Sequence, residues 1–174
     1  AQSEESLPDW VSLHTPLVLV HSERGKPTIE YIANRFEAFW RVWGLLGVIL
    51  TGVGMVFGAA LVVVSVFGTV TQPEAASIAS EPRNLLVIPG FNDFLPLAAA
   101  PAIVFALLVG MVVHEFGHAV LCRVGDIEIK STGLAFLAFF PAGAFVEPDE
   151  ESQMNASPWA QIRMISGGIM NNLA

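Results

Sequence analysis

Charge is what this chain has least of. Asp, Glu, Lys and Arg make up 14% of its 174 residues, against 53% hydrophobic residues and a mean hydropathy of +0.60. Soluble domains carry roughly a quarter charged residues, so a freely soluble globular protein is a poor match. Bases are scarcer than acids, eight against sixteen, for a net charge of −8. A nucleic-acid binder needs a basic face to displace phosphate counterions, and that class is set aside. Only two of the bases are lysines, a usage that fits a salt-adapted organism and fits solvated acidic loops as well. Cysteine is nearly absent: Cys122 stands alone, so no internal disulfide forms. No charged-then-apolar signal peptide opens the chain, which begins with Ala1, and insertion into a membrane is expected to rest on internal spans.

What the chain has in quantity is uninterrupted apolar sequence. Trp43 to Val70 and Phe94 to Val113 contain no charge, and each reaches the roughly 20 residues that cross a bilayer. An integral membrane protein is expected, with spans over about 43–70 and 94–121. The loop between them holds Pro73, Pro82 and Pro89, three acids and one base, Arg83. Inside the first span, Gly54 and Gly58 have a spacing that lets another helix approach closely.

Residues 1–42 are polar, with an extended-looking run from Pro16 to Val20 and a turn-like Ser22 to Pro27. Beyond Pro27 the apolar residues Ile29, Ile32, Phe36, Phe39, Trp40 and Trp43 recur at helical steps. They predict a helix lying in the membrane interface and leading into the first span; the alternative is a helix packed on a core. Four bases precede the first span, one lies in the loop, and Arg123 and Lys130 follow the second. The positive-inside rule therefore puts residues 1–42 and 122 onward on the cytoplasmic side. Residues 133–146 are apolar but too short to cross, and Pro141 and Gly143 interrupt any helix, which suits a re-entrant or sheet-like element. A polar stretch, Glu147 to Pro158, follows, and Trp159 to Ala174 begins a third span. The expected class is a polytopic α-helical membrane protein with a short membrane-embedded β-like or re-entrant element.

The chemistry-bearing motif is His114-Glu115-Phe116-Gly117-His118. Two imidazoles four residues apart project from one helical face and can hold one zinc ion, with Glu115 one residue round the helix to take a proton from water. Ionisable groups inside a span are costly, so they are functional candidates by default. At 1.5 Å per residue, His114 lies roughly 10 Å and His118 roughly 5 Å from the span's boundary near Leu121. Ala106 and Gly110 precede His114 at four-residue steps, a ridge of small residues that would turn the metal-bearing face toward other helices. The same step reaches Cys122, which reads either as a residue near the metal or as an inert, buried boundary cysteine. His14 and His21 read as surface residues.

With these residues in view, the sequence resembles the site-2 proteases, polytopic intramembrane zinc metalloproteases that cleave membrane-spanning substrates. Three blocks carry the resemblance: His114 to His118, Pro141-Ala-Gly-Ala-Phe-Val146, and Ser166-Gly-Gly-Ile-Met-Asn-Asn-Leu-Ala174. The junction Phe39-Trp-Arg-Val-Trp-Gly44 is similar to archaeal members. The resemblance implies Zn2+ as cofactor, His114 and His118 as its ligands, and Glu115 as general base and later acid. It implies substrate contacts by Gly143, Ala144, Phe145 and Val146 on an embedded strand and by Asn172, which stands four residues after Gly168. It makes residues 43–174 an intramembrane metalloprotease core, with a membrane-spanning protein and the lipid bilayer as partners. The family takes its third zinc ligand from an Asp-Gly pair on a later span, and no such pair occurs in these 174 residues. The ligand is expected beyond residue 174, and the chain reads as part of a longer one. Another membrane His-Glu-x-x-His protease, or a non-catalytic membrane adaptor retaining the fold, are the alternatives.

Overall fold

The computed structural model describes residues 11–14, 17–71, 84, 86–137 and 140–174. The elements run β1 (Val11–His14), β2 (Leu17–Ser22), α1 (Lys26–Arg35), α2 (Glu37–Thr71), a 3-10 turn (Leu97–Ala99), α3 (Ala100–Val124), β3 (Ile129–Leu137), β4 (Phe140–Pro148), α4 (Glu150–Asn155) and α5 (Pro158–Leu173). They divide into two compact units, residues 1–51 with 108–174, and residues 52–107.

Glu37–Gly68 and Leu97–Val124 are each long and apolar enough to cross a membrane, as the two charge-free runs predict. Both helices extend past the expected boundaries: α2 begins six residues before Trp43, and α3 ends at Val124 rather than Leu121. α3 stops through a left-handed residue, Asp126 (φ 57°). That turn lets the Ile127 amide donate to the Cys122 carbonyl at 2.8 Å and the Gly125 amide to that of Leu121 at 3.0 Å.

In the unit of residues 52–107, the described part of the connecting loop is tied together by Asn92. Its buried amide donates to the carbonyls of Asn84 and Leu86, and its oxygen accepts from the Phe94 amide. No described residue comes within 4 Å of a Cβ built at Gly54 or Gly58, so the close helix approach expected from that spacing is not made there.

The other unit holds a four-stranded antiparallel sheet in the order β1-β2-β3-β4. The 133–146 stretch, expected as a re-entrant or sheet-like element, forms most of the β3–β4 hairpin. The extended run ending at Val20 becomes β2, whose His21 pairs with Gly133 of β3. The helix expected over Ile29 to Trp43 is split at Phe36, where α1 ends and α2 begins. Ile29 and Ala33 are buried with Ala119, Val120, Cys122, Ile127, Ile129 and Met164, while Phe36 and Phe39 are exposed. Half of the apolar stripe thus faces a core, as the alternative reading had it. An Arg123–Glu30 ion pair (3.0 Å) ties α1 to the end of α3. Ser157 caps α5 by accepting from the Ala160 amide, and Pro158 follows at the first helical position.

Across β3 and β4, Lys130 Nζ donates to Glu147 Oε1 at 2.6 Å, and Ser131 Oγ donates to Oε2 at 2.7 Å. The hydrogen bond from Lys130, then that from Ser131, holds the Glu147 carboxyl below its ordinary range, and the same bond raises the Lys130 ammonium. A depressed carboxylate stabilises the fold above its unfolded pKa and loses that contribution as pH falls through the folded value. A raised lysine contributes below its unfolded pKa and loses its share as pH rises through the folded value. The end of the hairpin at Lys130 and Glu147 is therefore expected to be tightest between the two titrations and to loosen on either side of them. Hydrogen exchange of the amides flanking Glu147 against pH, corrected for intrinsic rates, tests this; protection there unchanged on both limbs contradicts it.

Candidate metal centre

α3 presents His114, Glu115 and His118 half-buried, with one ligand atom from each lying within 4.8 Å of the others. They form the one such group among the described residues. The imidazoles stand edge to face, with ring centroids 4.7 Å apart and planes at 77°. Beneath them passes α5 at Gly168, where a Cβ would sit 2.5 Å from Nε2 of both histidines. Both Nε2 atoms thus border the same small space, and it exists because residue 168 has no side chain.

The other ring nitrogens are held from α5. His118 Nδ1 lies 2.7 Å from the Met164 carbonyl, which can only accept, so Nδ1 carries the proton and the Nε2 lone pair is free for a metal. His114 Nδ1 lies 3.0 Å from the Asn172 amide. A half-turn of that amide exchanges nitrogen for oxygen, and the oxygen-facing orientation protonates Nδ1 and frees Nε2 of His114 in the same way. Asn172, expected at the substrate, is thus placed on a candidate ligand. Imidazole donors with these partners, over a cradle that a methyl group would fill, fit a zinc ion.

Glu115 turns toward the sheet. Its Oε2 accepts from the Val146 amide at 3.0 Å. Among the described residues β4 is an edge strand, paired on one side to β3, and its Val146 amide faces Glu115. One turn earlier on α3, the Met111 thioether packs against Gly143, filling the space of a side chain there. The Phe145 ring meets that of His21 at 5.1 Å, and Ala144 is half-buried. So Gly143 and Val146 are brought to the helix that carries the motif. Cys122 belongs to the buried core and not to the metal group. His21, read as a surface residue, is half-buried in the sheet, while the side chain of His14 lies outside the described residues.

Several residues that position the site escaped the motif reading. Gly117 lies against Gly167: a Cβ on the former would be 2.5 Å from the Gly167 carbonyl oxygen, and one on the latter 2.9 Å from that of Gly117. The expected ridge is not at Gly110, where a Cβ would meet nothing within 4 Å, nor at Ala106, which is exposed. Asn171 spans three helices. Its Nδ2 donates to the Val113 carbonyl at 3.0 Å, and its Oδ1 accepts from Trp43 Nε1 at 2.8 Å. Gly44 and Gly47 of α2 lie against α5 in turn, Gly44 beside Arg163 and Gly47 beside Ser166 and Met170. The signal was present as a second Gly-x-x-x-Asn, Gly167 to Asn171, offset by one residue from the first.

Comparison with known proteins bears on the same segment. Residues 102–174 match the family model of peptidase family M50, the site-2 protease family. Over these residues the chain is similar to family M50. Of curated relatives, an uncharacterized protein of Methanocaldococcus jannaschii is 26% identical over 133 residues, 76% of this chain. The chain spans about a third of that relative's length, 34%. No solved structure matches this chain significantly. Family M50 peptidases are zinc-dependent and membrane-embedded, in keeping with the two apolar helices and the His-Glu-His group.

Two substitutions test the cradle. Gly168→Ala is expected to abolish zinc binding in a protein that still folds, since overpacking of one methyl typically costs about 1–3 kcal/mol. Asn172→Ala is expected to weaken zinc affinity by roughly 10–100-fold, the usual effect of removing a ligand's hydrogen-bond partner. Zinc titration with folding monitored by circular dichroism checks both. Wild-type affinity in Gly168→Ala would contradict convergence of the imidazoles above that residue.

Proposed function

We propose that this chain is the zinc-binding part of an intramembrane metalloendopeptidase that cleaves membrane-spanning segments of protein substrates. The observation that carries this reading is the placement of Glu115 between two convergent imidazoles and the free edge of β4, on a helix long enough to cross a bilayer. His114 lies ten residues before the end of α3, about 15 Å along the axis, so the chemistry would occur within the membrane near one face. The charge asymmetry of the sequence supports the cytoplasmic side for that face.

His114 and His118 would hold the zinc, with a further ligand from outside these residues. Bound there, the ion supplies Lewis acidity toward water and toward a peptide carbonyl. The remaining work falls to this chain's own groups. With Oε2 engaged by the Val146 amide, Glu115 keeps Oε1 to take a proton from the attacking water and return it to the leaving amine. Met164, and Asn172 with its amide oxygen turned to His114, would hold the two rings so that their free nitrogens face one point. A substrate helix hides its peptide groups in internal hydrogen bonds and must unwind before attack. The edge of β4 over Gly143, Ala144, Phe145 and Val146 offers backbone partners to the unwound segment. Alternation along the strand means that Ala144, two residues from Val146, presents its backbone groups on the same side as the Val146 amide.

The test uses the full-length protein reconstituted with a single-span protein substrate. About one zinc per chain is expected, with cleavage lost by at least ~100-fold in Glu115→Gln while zinc is retained. Unchanged cleavage in that variant removes Glu115 from the mechanism. Zinc binding without any wild-type cleavage of a membrane-spanning substrate would sink the protease reading in favour of the adaptor.

A further inference from the structure

The lower end of the β3–β4 hairpin departs from regular pairing. Ser131 stands opposite Glu147 and Ile129 opposite Pro148, which leaves Lys130 as an extra residue on β3 without a partner in the register. In a regular strand Lys130 and Ser131 would point to opposite faces. At this bulge both reach the same carboxylate, Lys130 at Oε1 (2.6 Å) and Ser131 at Oε2 (2.7 Å). The Ser131 proton is committed to Glu147, so its oxygen accepts from His21 Nδ1–H at 2.9 Å. One carboxylate therefore ties β4 to β3 and, through Ser131, to β2.

The clamp lies beside a gap in the backbone ladder. Among the described residues β4 has a strand on one side only, and the residue after Glu147 is Pro148, which has no amide to donate; the next backbone tie is from the Asp149 amide to the Glu128 carbonyl at 2.8 Å. The residue before Glu147 is Val146, whose amide holds the Glu115 carboxylate. Rotation of the backbone at the end of β4 would swing that donor away. We propose that Glu147 is a positioning residue for Glu115: pinned by Lys130 and Ser131, it fixes the end of β4 and so aims the Val146 amide at the carboxylate of the His-Glu-x-x-His motif. The proposal rests on the protease reading only for what Glu115 does; the clamp itself is independent of turnover.

Hydrogen exchange of the full-length protein, resolved to the Val146 amide, tests it without a substrate. Glu115→Ala calibrates the signal by removing the acceptor. Glu147→Ala is expected to speed Val146 exchange by about tenfold while amides elsewhere in β3 and β4, and the zinc content, stay as in wild type. Lys130→Arg, which keeps a cation for Oε1, is expected to preserve slow exchange. On a membrane-spanning substrate that the wild type cleaves, Glu147→Ala should lower kcat with KM unchanged. Wild-type protection of Val146 in Glu147→Ala overturns the proposal, as does equal acceleration across both strands, which would mark ordinary sheet support. Should Glu147→Ala fail to fold, Lys130→Ala must show a smaller, selective acceleration at Val146, and none there overturns the proposal equally. A wild type that never cleaves would defeat the protease reading and leave the exchange result standing.

Discussion

The close approach of α3 and α5 is the constraint on which the metal site depends. At Gly117 and Gly167 the two backbones lie so near that a Cβ on either would meet the other's carbonyl. Such contact is possible only between residues without side chains, and in a membrane it supplies the dispersion that substitutes for a hydrophobic driving force. Everything α5 contributes follows from that crossing. Gly168, one residue on, becomes the floor under both imidazoles; Met164, one turn before, offers its carbonyl to His118; and Asn172, one turn after, reaches His114. Asn171 then locks the arrangement by bonding to the Val113 carbonyl and the Trp43 indole.

On the far side of α3, the sheet supplies what the helices cannot, a backbone donor with no partner of its own. In a helix every interior amide is committed to a carbonyl four residues back, so Glu115 could find no such donor on α5. An edge strand has one at every second residue, and β4 presents that of Val146. Met111 against Gly143 seats the strand one turn away. The motif helix is thus held between a helix that orients its imidazoles and a strand that orients its carboxylate, two surfaces with distinct chemistry.

The motif, the two spans and the approximate extent of the hairpin were all legible in the residues, because each is written in local pattern: charge-free length, i and i+4 spacing, Pro and Gly breaking an apolar run. The helix over Ile29 to Trp43 was legible as periodicity but not as two elements, since the break at Phe36 is marked by neither Gly nor Pro. Small-residue spacing misled twice. Gly54 with Gly58, and Ala106 with Gly110, have the pattern of a packing face, yet no described residue comes within 4 Å of a Cβ on any of these glycines and Ala106 is exposed, whereas Gly44, Gly47, Gly117 and Gly167 carry the helix crossings. A glycine permits an approach without naming the partner that makes it.

The sequence by itself determined two runs long and apolar enough to cross a membrane and a two-histidine, one-glutamate motif on the second of these helices, since those properties belong to single segments. Only the tertiary structure decided which groups complete the motif: the Met164 carbonyl, the Asn172 amide, the Val146 N–H and the absent side chain of Gly168. Their separations in sequence from the motif residues they contact run from 31 to 58, and two of the four are backbone groups that nearly every residue possesses. No residue type marks a carbonyl or an amide as the one that will face a histidine or a glutamate. Chain folding alone selects it, by bringing α5 beneath α3 and the edge of β4 alongside.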